Sequence, residues 1–187
     1  MDSKKIEQLE KEIEQLHLND PDESIRTFWQ IHVKTVIAEA KRMTDKYGGN
    51  LEVIWLAAIL HDIGQFEDLD THEEISARKA EEMLKEKGFS QDVIDKVSQT
   101  ILTHRVNKYK PETPEQKILA TADAMSHFKA PHYIWLSRAS KKSLEELFTK
   151  LDKKMERDFM EKIFFDAERE SVKKEYEILK NWFAFKL

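Results

Sequence analysis

Residues 51–64 form the run LEVIWLAAILHDIG, in which Glu52 is the sole polar residue before His61. A helix that is apolar on nearly every side is buried in a protein core. This run is also shorter than the roughly 20 apolar residues that a membrane-spanning helix needs. We therefore predict a central core helix over Leu51–Leu60 that ends at His61 and Asp62.

The rest of the chain also favours helices. Its 187 residues are 36% charged and include only 4 Gly and 4 Pro, whereas strands need turn residues in quantity. Apolar residues at helical spacing predict helices over residues 4–18, 24–46 and 71–86, after Ser90, from Thr113 and Pro114 onward, and in the region after Ser140. The predicted fold class is all-α, in a single domain over residues 1–187.

Charge and cysteine content limit the classes of function. The formal net charge is -5 and the sequence pI is about 5.9, so we expect no stable nucleic-acid complex. A small phosphorylated substrate is compatible with this charge, because it needs only a local cluster of cations. The chain has no cysteine, so nitrogen and oxygen atoms must hold any metal.

The sequence also predicts where the protein resides. The N-terminal stretch MDSKKIEQLEKEIEQLHLND is too charged for a signal peptide, and no apolar run approaches the length of a membrane helix. We therefore expect no membrane association and a cytoplasmic location.

Polar side chains interrupt the apolar stripes of several consecutive helices. They are His32, His61, Asp62, His72, His104 and Asp123. A single histidine on an apolar face is more often a core residue, and a single buried aspartate is often a helix cap or the partner of an arginine. A buried carboxylate costs several kcal/mol unless it is paired or binds a metal. Recurrence on successive helices favours a shared cation.

The ordered set of these residues resembles the HD superfamily of metal-dependent phosphohydrolases. The signature is His61-Asp62-Ile63-Gly64 after an apolar run, with His32 upstream and Asp123 downstream in Thr121-Ala122-Asp123-Ala124. The resemblance covers residues 25–128 and leaves a C-terminal helical extension, residues 132–187, outside it. It implies an HD-domain-like helical bundle with additional N- and C-terminal helices.

The resemblance also implies a metal site and a reaction. His32, His61, Asp62 and Asp123 would bind a divalent transition metal, and Mn, Fe, Co, Ni or Zn suit these ligands better than Mg. The metal would activate a water for attack on a nucleotide or a related small phosphate ester. Gln65 follows the motif where some cyclic-dinucleotide phosphodiesterases of the superfamily have lysine, which argues against that branch.

His72 and His104 allow two interpretations beyond a structural one. In family branches with two metals, extra histidines lie between the His-Asp pair and the final aspartate, and Asp62 would bridge the ions. Alternatively, His72 and His104 bind substrate or transfer protons beside a single ion. We therefore predict one or two ions, with Asp62, His72 and His104 as the catalytic residues.

Cations near these histidines are candidates for phosphate binding. Arg105 is the best of them, followed by Arg78 and Lys108, although lysines and arginines are more often solvated. Further candidates near the site are Glu67 and Asp68 as bases or surface charges, His127 beside Asp123, and His132, Tyr133 and Trp135 as pocket or core residues.

Two alternative functions keep the fold. Some HD-type proteins that have two irons and all six ligands activate oxygen, so a di-iron HD-type oxygenase is one alternative. The other is a non-catalytic nucleotide-binding HD module. A homodimer contact through Trp182, Phe183 and Phe185 is an open interpretation, the alternative being that these aromatic residues pack on their own domain.

Overall fold

The computed structural model describes residues 1–68 and 70–184, apart from the side chain of Ala139. Every regular element in these residues is helical, which confirms the all-α prediction. The α-helices are α1 (Ser3–Leu18), α2 (Glu23–Phe28), α3 (Lys34–Tyr47), α4 (Leu51–Leu60), α5 (His72–Glu86), α6 (Gln91–Thr103), α7 (Pro114–Lys129), α8 (His132–Ala139), α9 (Leu144–Arg157), α10 (Asp166–Ser171) and α11 (Lys173–Phe183).

Helix α4 lies in the core, as its sequence predicts. Eight of its ten residues are buried, from Val53 to Leu60. It packs against α1, α3, α6 and α7. The side chain of Asn50 caps its first turn by accepting hydrogen bonds from the backbone N–H groups of Glu52 and Val53. Because α4 is surrounded by other helices, His61 and Asp62 emerge from its end in the interior of the protein.

The predicted helix over residues 24–46 is divided in the structure. A π-helical turn, Trp29–Val33, separates α2 from α3 and includes the buried His32. A second π-helical turn, Asp158–Lys162, follows α9. Such turns insert an extra residue and are frequent at functional sites. The spacing of apolar residues did not reveal them, because a single inserted residue leaves a broad buried stripe almost unchanged.

Gly64 brings the turn after Asp62 into direct contact with α5. A β-carbon at Gly64 would lie 2.6 Å from Cγ2 of Ile75 and 3.0 Å from the backbone nitrogen of Ser76. The Gly64 N–H also donates a 3.0 Å hydrogen bond to Oγ of Ser76. Only a residue without a side chain permits this approach, which places His72, at the start of α5, near Asp62.

The C-terminal helices pack on α7 and α3. Eleven of the sixteen residues of α7 are buried, and α7 contacts the second π-helical turn, α10 and α11. Glu168 of α10 is 2% exposed and accepts hydrogen bonds from Arg42, Lys46 and Tyr47 of α3. The division of the chain into domains stays a prediction.

Two other expectations concern the outer surface. Over the described ranges 1–68 and 70–184, no helix is long and apolar enough to span a membrane. Trp182 is 58% exposed, Phe183 packs partly against the core, and Phe185 lies outside the described residues. The two interpretations of these aromatic residues, a dimer contact or packing on their own domain, therefore both stay predictions.

Candidate metal centre

The structure brings the six predicted ligand residues together in two groups. In each group the candidate ligand atoms all lie within 4.8 Å of one another. The first group comprises His32, His61 and Asp123, and the second comprises Asp62, His72 and His104.

The first group forms where the first π-helical turn, α4 and α7 meet. Nε2 of His32 lies 3.1 Å from Nε2 of His61 and 3.4 Å from Oδ1 of Asp123. All three residues are buried. Two imidazole nitrogens and one carboxylate oxygen thus converge on one point.

The second group forms between α5 and α6. Nε2 of His72 lies 3.3 Å from Nε2 of His104. Oδ1 of Asp62 lies 3.2 Å from the first of these nitrogens and 3.3 Å from the second. The donor set is the same as in the first group, with two imidazoles and one carboxylate oxygen.

Asp62 connects the two groups. Its Oδ2 atom lies 3.2 Å from Nε2 of His32 and 3.4 Å from Nε2 of His61. One oxygen of the carboxylate therefore faces each pair of histidines. This arrangement allows Asp62 to serve either one ion or two.

The hydrogen bonds of the histidine Nδ1 atoms determine which ring nitrogen has a lone pair available for a metal. Nδ1 of His61 lies 3.0 Å from the carbonyl oxygen of Ala58, and Nδ1 of His104 lies 2.6 Å from that of Ile101. A carbonyl oxygen only accepts, so both Nδ1 atoms carry the ring proton. In both neutral rings Nε2 then presents a lone pair, which is the form that binds a metal.

Ser126 sets the same tautomer for His32. Its hydroxyl donates to the backbone oxygen of Asp123 at 2.7 Å, and its Oγ lies 2.8 Å from Nδ1 of His32. Because the one hydroxyl proton is already used, Nδ1 of His32 must donate to Oγ. Ser126 therefore directs Nε2 of His32 toward His61 as an acceptor.

With these tautomers, hydrogen-bond acceptors face one another in a buried site. The Nε2 atoms of His32 and His61 are 3.1 Å apart, and both present lone pairs. Oδ1 of Asp62 is buried and finds no hydrogen-bond donor among the described residues. Burial lowers the pKa of His61 to about 4, so this imidazole is neutral at pH 7. A cation satisfies all of these groups, and the six side chains fit a divalent metal.

The predicted phosphate-binding cations are engaged by acidic residues. Nη1 of Arg105 lies 2.6 Å from Oε2 of Glu73 and donates to the backbone oxygen of Asp70 at 2.8 Å. The other two cations pair with glutamates at the surface, Lys108 with Glu74 at 3.1 Å and Arg78 with Glu82 at 2.9 Å. Arg105 follows His104 directly and Glu73 follows His72, so the Arg105–Glu73 pair joins the two helix ends of the second group.

The two acidic residues after the motif have structural contacts. Glu67 pairs with Lys79. Asp68 accepts hydrogen bonds from the backbone of Asp70 at 2.8 Å and from the hydroxyl of Thr71 at 3.1 Å, which organises the turn before α5. These contacts fit the interpretation of Glu67 and Asp68 as loop residues better than a role as bases.

A third group of histidines lies beside the first. His32, His127 and His132 have candidate ligand atoms within 4.8 Å of one another. Nε2 of His127 is 3.4 Å from Oδ1 of Asp123, as its position one turn further along α7 suggests. His132 is buried and stacks on His127 with ring centroids 4.0 Å apart.

Sequence reasoning missed the polar network that supports this third group. Asp158, fully buried, accepts from Nδ1 of His127 at 2.8 Å, from Nζ of Lys154 at 2.7 Å and from the hydroxyl of Tyr133 at 3.2 Å. Lys162 donates to Oδ2 of Asp123. The available signal was the placement of Asp158 and Lys162 among apolar residues, in the segment DFMEKIFF.

Comparison with known proteins agrees with this geometry. The HD domain family matches residues 29–127, which is more than half of the chain and includes the first π-helical turn and most of α7. An uncharacterized protein from Clostridium beijerinckii is 36% identical over 75 residues, which cover 38% of this chain. The matched region spans about half, 48%, of that relative.

A solved structure shares the fold over nearly the whole chain. It is the crystal structure of a predicted HD superfamily hydrolase from an uncultured Thermotogales bacterium. The TM-score is 0.62 at 21% sequence identity, with 94% of this chain and 87% of the other covered. With the family match and the clustered histidines and aspartates, the chain belongs to the HD domain family.

Proposed function

We propose that the protein is a metal-dependent phosphohydrolase or phosphodiesterase that acts on a nucleotide or a related small phosphate ester. The observation that carries this proposal is the carboxylate of Asp62, which faces one pair of histidines with each oxygen. The description of the Thermotogales protein as a predicted HD superfamily hydrolase supports the reaction class.

The donor set supports a transition metal as cofactor. Imidazole nitrogen and carboxylate oxygen suit Mn, Fe, Co, Ni or Zn, and suit Mg less well. His32, His61, Asp123 and Oδ2 of Asp62 would hold one ion, and His72, His104 and Oδ1 of Asp62 a second. A bound divalent ion supplies an activated water and neutralises charge on the phosphoryl group.

Exposure indicates the side from which substrate approaches. The side chain of His72 is 11% exposed and that of Asp62 is 7% exposed, whereas His61 and His32 are 0% and 1% exposed. Because the side chain of His104 is only 2% exposed, His72 is the residue of the two groups that a substrate reaches first. With a single ion bound, His72 and His104 would instead orient the reacting phosphate or transfer a proton beside that ion.

Aromatic side chains beside the centre support a nucleotide as substrate. Phe28 stacks on His32 with ring centroids 4.7 Å apart, and Phe66 contacts Phe28 edge-on at 5.4 Å. Phe66 is 43% exposed. It thus offers an accessible ring to a planar base, whose stacking on an aromatic side chain is favourable.

Cations at the mouth of the second group support binding of the phosphate. Arg105 uses a single nitrogen, Nη1, for its bonds to Glu73 and Asp70. A guanidinium carries five N–H donors, so a phosphate oxygen can be bound without breaking this pair. Lys108, whose side chain is 67% exposed, would exchange its present partner Glu74 for a phosphate oxygen.

A di-iron oxygenase is the second candidate, favoured by the same two groups of ligands. Six residues from the described part of the chain are available for two irons. Iron content together with oxygen consumption distinguishes the two functions, because the oxygenase requires iron and consumes oxygen whereas the phosphohydrolase does not consume oxygen. The cations beside His104 favour the phosphohydrolase.

The test is hydrolysis of a panel of nucleotides, with substrates and products separated by anion-exchange chromatography. The full chain is loaded with Mn²⁺, Co²⁺ or Ni²⁺ and incubated with nucleoside mono-, di- and triphosphates and cyclic nucleotides. We expect hydrolysis of at least one class, which Asp62→Ala abolishes. His17→Ala is the matched control, since His17 is buried and bonds to the backbone of Ile13, in α1. A metal-loaded protein that hydrolyses none of these compounds contradicts the proposal.

A further inference from the structure

Lys162 is a buried cation that the C-terminal extension brings to the metal centre. It lies outside residues 29–127, which match the HD domain family. Its side chain is 3% exposed, and Nζ donates to Oδ2 of Asp123. A second carboxylate oxygen, Oδ1 of Asp158, lies 3.8 Å from Nζ. A buried ammonium is costly without such partners, so this residue has a specific electrostatic role.

The backbone around Lys162 is attached to the helix that contains Asp123. The hydroxyl of Thr121 donates to the backbone oxygen of Lys162 at 3.4 Å and accepts from the N–H of Phe164 at 3.1 Å. Thr121 is fully buried and precedes Asp123 by two residues in α7. The ammonium and the carboxylate are therefore held together by both their backbones and their side chains.

The two oxygens of Asp123 have different neighbours. Oδ1 lies 3.4 Å from Nε2 of His32 and 3.4 Å from Nε2 of His127, whereas Lys162 binds Oδ2. We propose that Lys162 is a positioning residue that reserves Oδ2 and leaves the metal ion only Oδ1 of Asp123. This inference rests on the metal occupancy proposed above and does not depend on the reaction that the metal catalyses.

The positive charge of Lys162 predicts the direction in which its loss changes metal affinity. Without the ammonium, Asp123 becomes an uncompensated buried carboxylate in the metal-free protein. A metal ion would then relieve the buried charge, meet no repulsion from the ammonium and gain access to Oδ2. Loss of Lys162 must therefore strengthen metal binding and weaken the metal-free fold.

The experiment is a Co²⁺ titration of the full chain against a competing chelator, with the visible spectrum of bound Co²⁺ recorded in parallel. We expect Lys162→Met to bind the first Co²⁺ tighter by on the order of tenfold. Its visible bands should change, because a second oxygen becomes available to the ion. Lys162→Arg should resemble the wild type in both respects. Lys162→Gln, neutral but able to donate a hydrogen bond, keeps the test available if the methionine variant does not fold.

Two controls separate this role from a structural one. Lys154→Met removes a half-buried cation that contacts Asp158 and His127, and it should change Co²⁺ affinity less. Glu168→Gln loosens the extension from α3 without touching the centre, and it should leave Co²⁺ affinity unchanged. Unchanged or weaker Co²⁺ binding by both folded neutral variants, Lys162→Met and Lys162→Gln, overturns the role of Lys162. Failure of the wild type to bind Co²⁺ overturns the centre itself.

Discussion

Oδ1 of Asp62 lies 3.2 Å from Nε2 of His72, while the other oxygen of Asp62 faces His32 at the same distance. A carboxylate that is shared in this way couples the two groups of histidines. Loss of Asp62 removes a ligand from both groups, whereas loss of His72 removes a ligand from one. Metal stoichiometry therefore distinguishes a centre with two ions from a centre with one.

Replacement of His72 should remove one ion and leave the other. The first group keeps His32, His61, Asp123 and Oδ2 of Asp62 in His72→Ala, so we expect about one equivalent of Mn²⁺ or Co²⁺, against about two in the wild type. Asp62→Ala should weaken both sites. Elemental mass spectrometry after loading and desalting measures the stoichiometry, and His17→Ala serves as the control. Complete loss of metal from His72→Ala would show that the groups do not bind independently.

Removal of the Ser126 hydroxyl should weaken metal binding without changing a ligand. Ser126 accepts the Nδ1 proton of His32, so Ser126→Ala lets the imidazole change tautomer or rotate. Loss of such an outer partner costs roughly 10- to 100-fold in metal affinity. A competition titration with Co²⁺ measures this change. Ser98→Ala, which removes a buried hydroxyl bonded to Glu81, should bind Co²⁺ like the wild type. Equal affinities for the two variants would contradict the tautomer argument.

A methyl group at Gly64 should separate α5 from the turn after Asp62. Because the added carbon would lie 2.6 Å from Ile75, we expect Gly64→Ala to destabilise the protein by about 1 to 3 kcal/mol. Because His72 moves with α5, the ion at the group of His72 should also bind more weakly, whereas the ion at the group of His32 should be retained. Urea unfolding and metal content measure the two effects. Wild-type stability and an unchanged content of both ions in Gly64→Ala would contradict this packing argument.

Glu168 should make the attachment of the C-terminal helices dependent on pH. Burial alone raises the pKa of Glu168, but hydrogen bonds from Arg42, Lys46 and Tyr47 outweigh it and lower the pKa to about 2. The pKa of Glu168 is thus lower in the folded protein than its unfolded value of about 4.5, so the ionised carboxylate stabilises the fold above pH 4.5. This stabilisation is lost as the pH falls toward 2 and the carboxylate takes up a proton.

Glu168→Gln tests this contribution in the metal-free protein. We expect a loss of about 1 to 2 kcal/mol at pH 7, since water partly screens the exposed partner cations. The difference from the wild type should narrow steadily below pH 4.5. Urea unfolding at a series of pH values measures it, and Glu170→Gln, at an exposed pair with Lys173, should have no effect. A difference that does not depend on pH would show that the charge of Glu168 is not responsible.

The helices and the inward-facing histidines and aspartates could be predicted because their signals are local. The apolar run before His61 identifies a core helix, and a charged or polar residue within an apolar stripe identifies His32 or Asp123 without knowledge of the fold. The capping box of α7, in which Thr113 and Gln116 satisfy each other's backbone, is local in the same sense. Patterns of this kind depend only on the spacing of residues along the chain, which can be read directly from the sequence.

The ion-pair partners of the cations could not be predicted from local pattern. Phosphate binding by Arg105, Arg78 and Lys108 stays a prediction, and the structure adds that Glu73, Glu82 and Glu74 pair with them. Lys162, in contrast, resembles an ordinary helical pair with Asp158 four residues earlier, although it binds Asp123. Whether a charge is paired depends on which element packs beside it, and the composition of its own segment does not contain that information.

By itself, the sequence determined that the protein is all-helical, that Leu51–Leu60 is its central helix, and that His32, His61, Asp62 and Asp123 face the interior. The tertiary structure decided which side chains each oxygen of Asp62 and Asp123 faces, and which nitrogen of His32 has a lone pair available for a metal. It also decided that Lys162 of the extension contacts Asp123. The physical reason is that periodicity fixes the face of a helix on which a residue lies. Distances of about 3 Å between helices depend instead on close contacts such as that of Gly64 with Ile75.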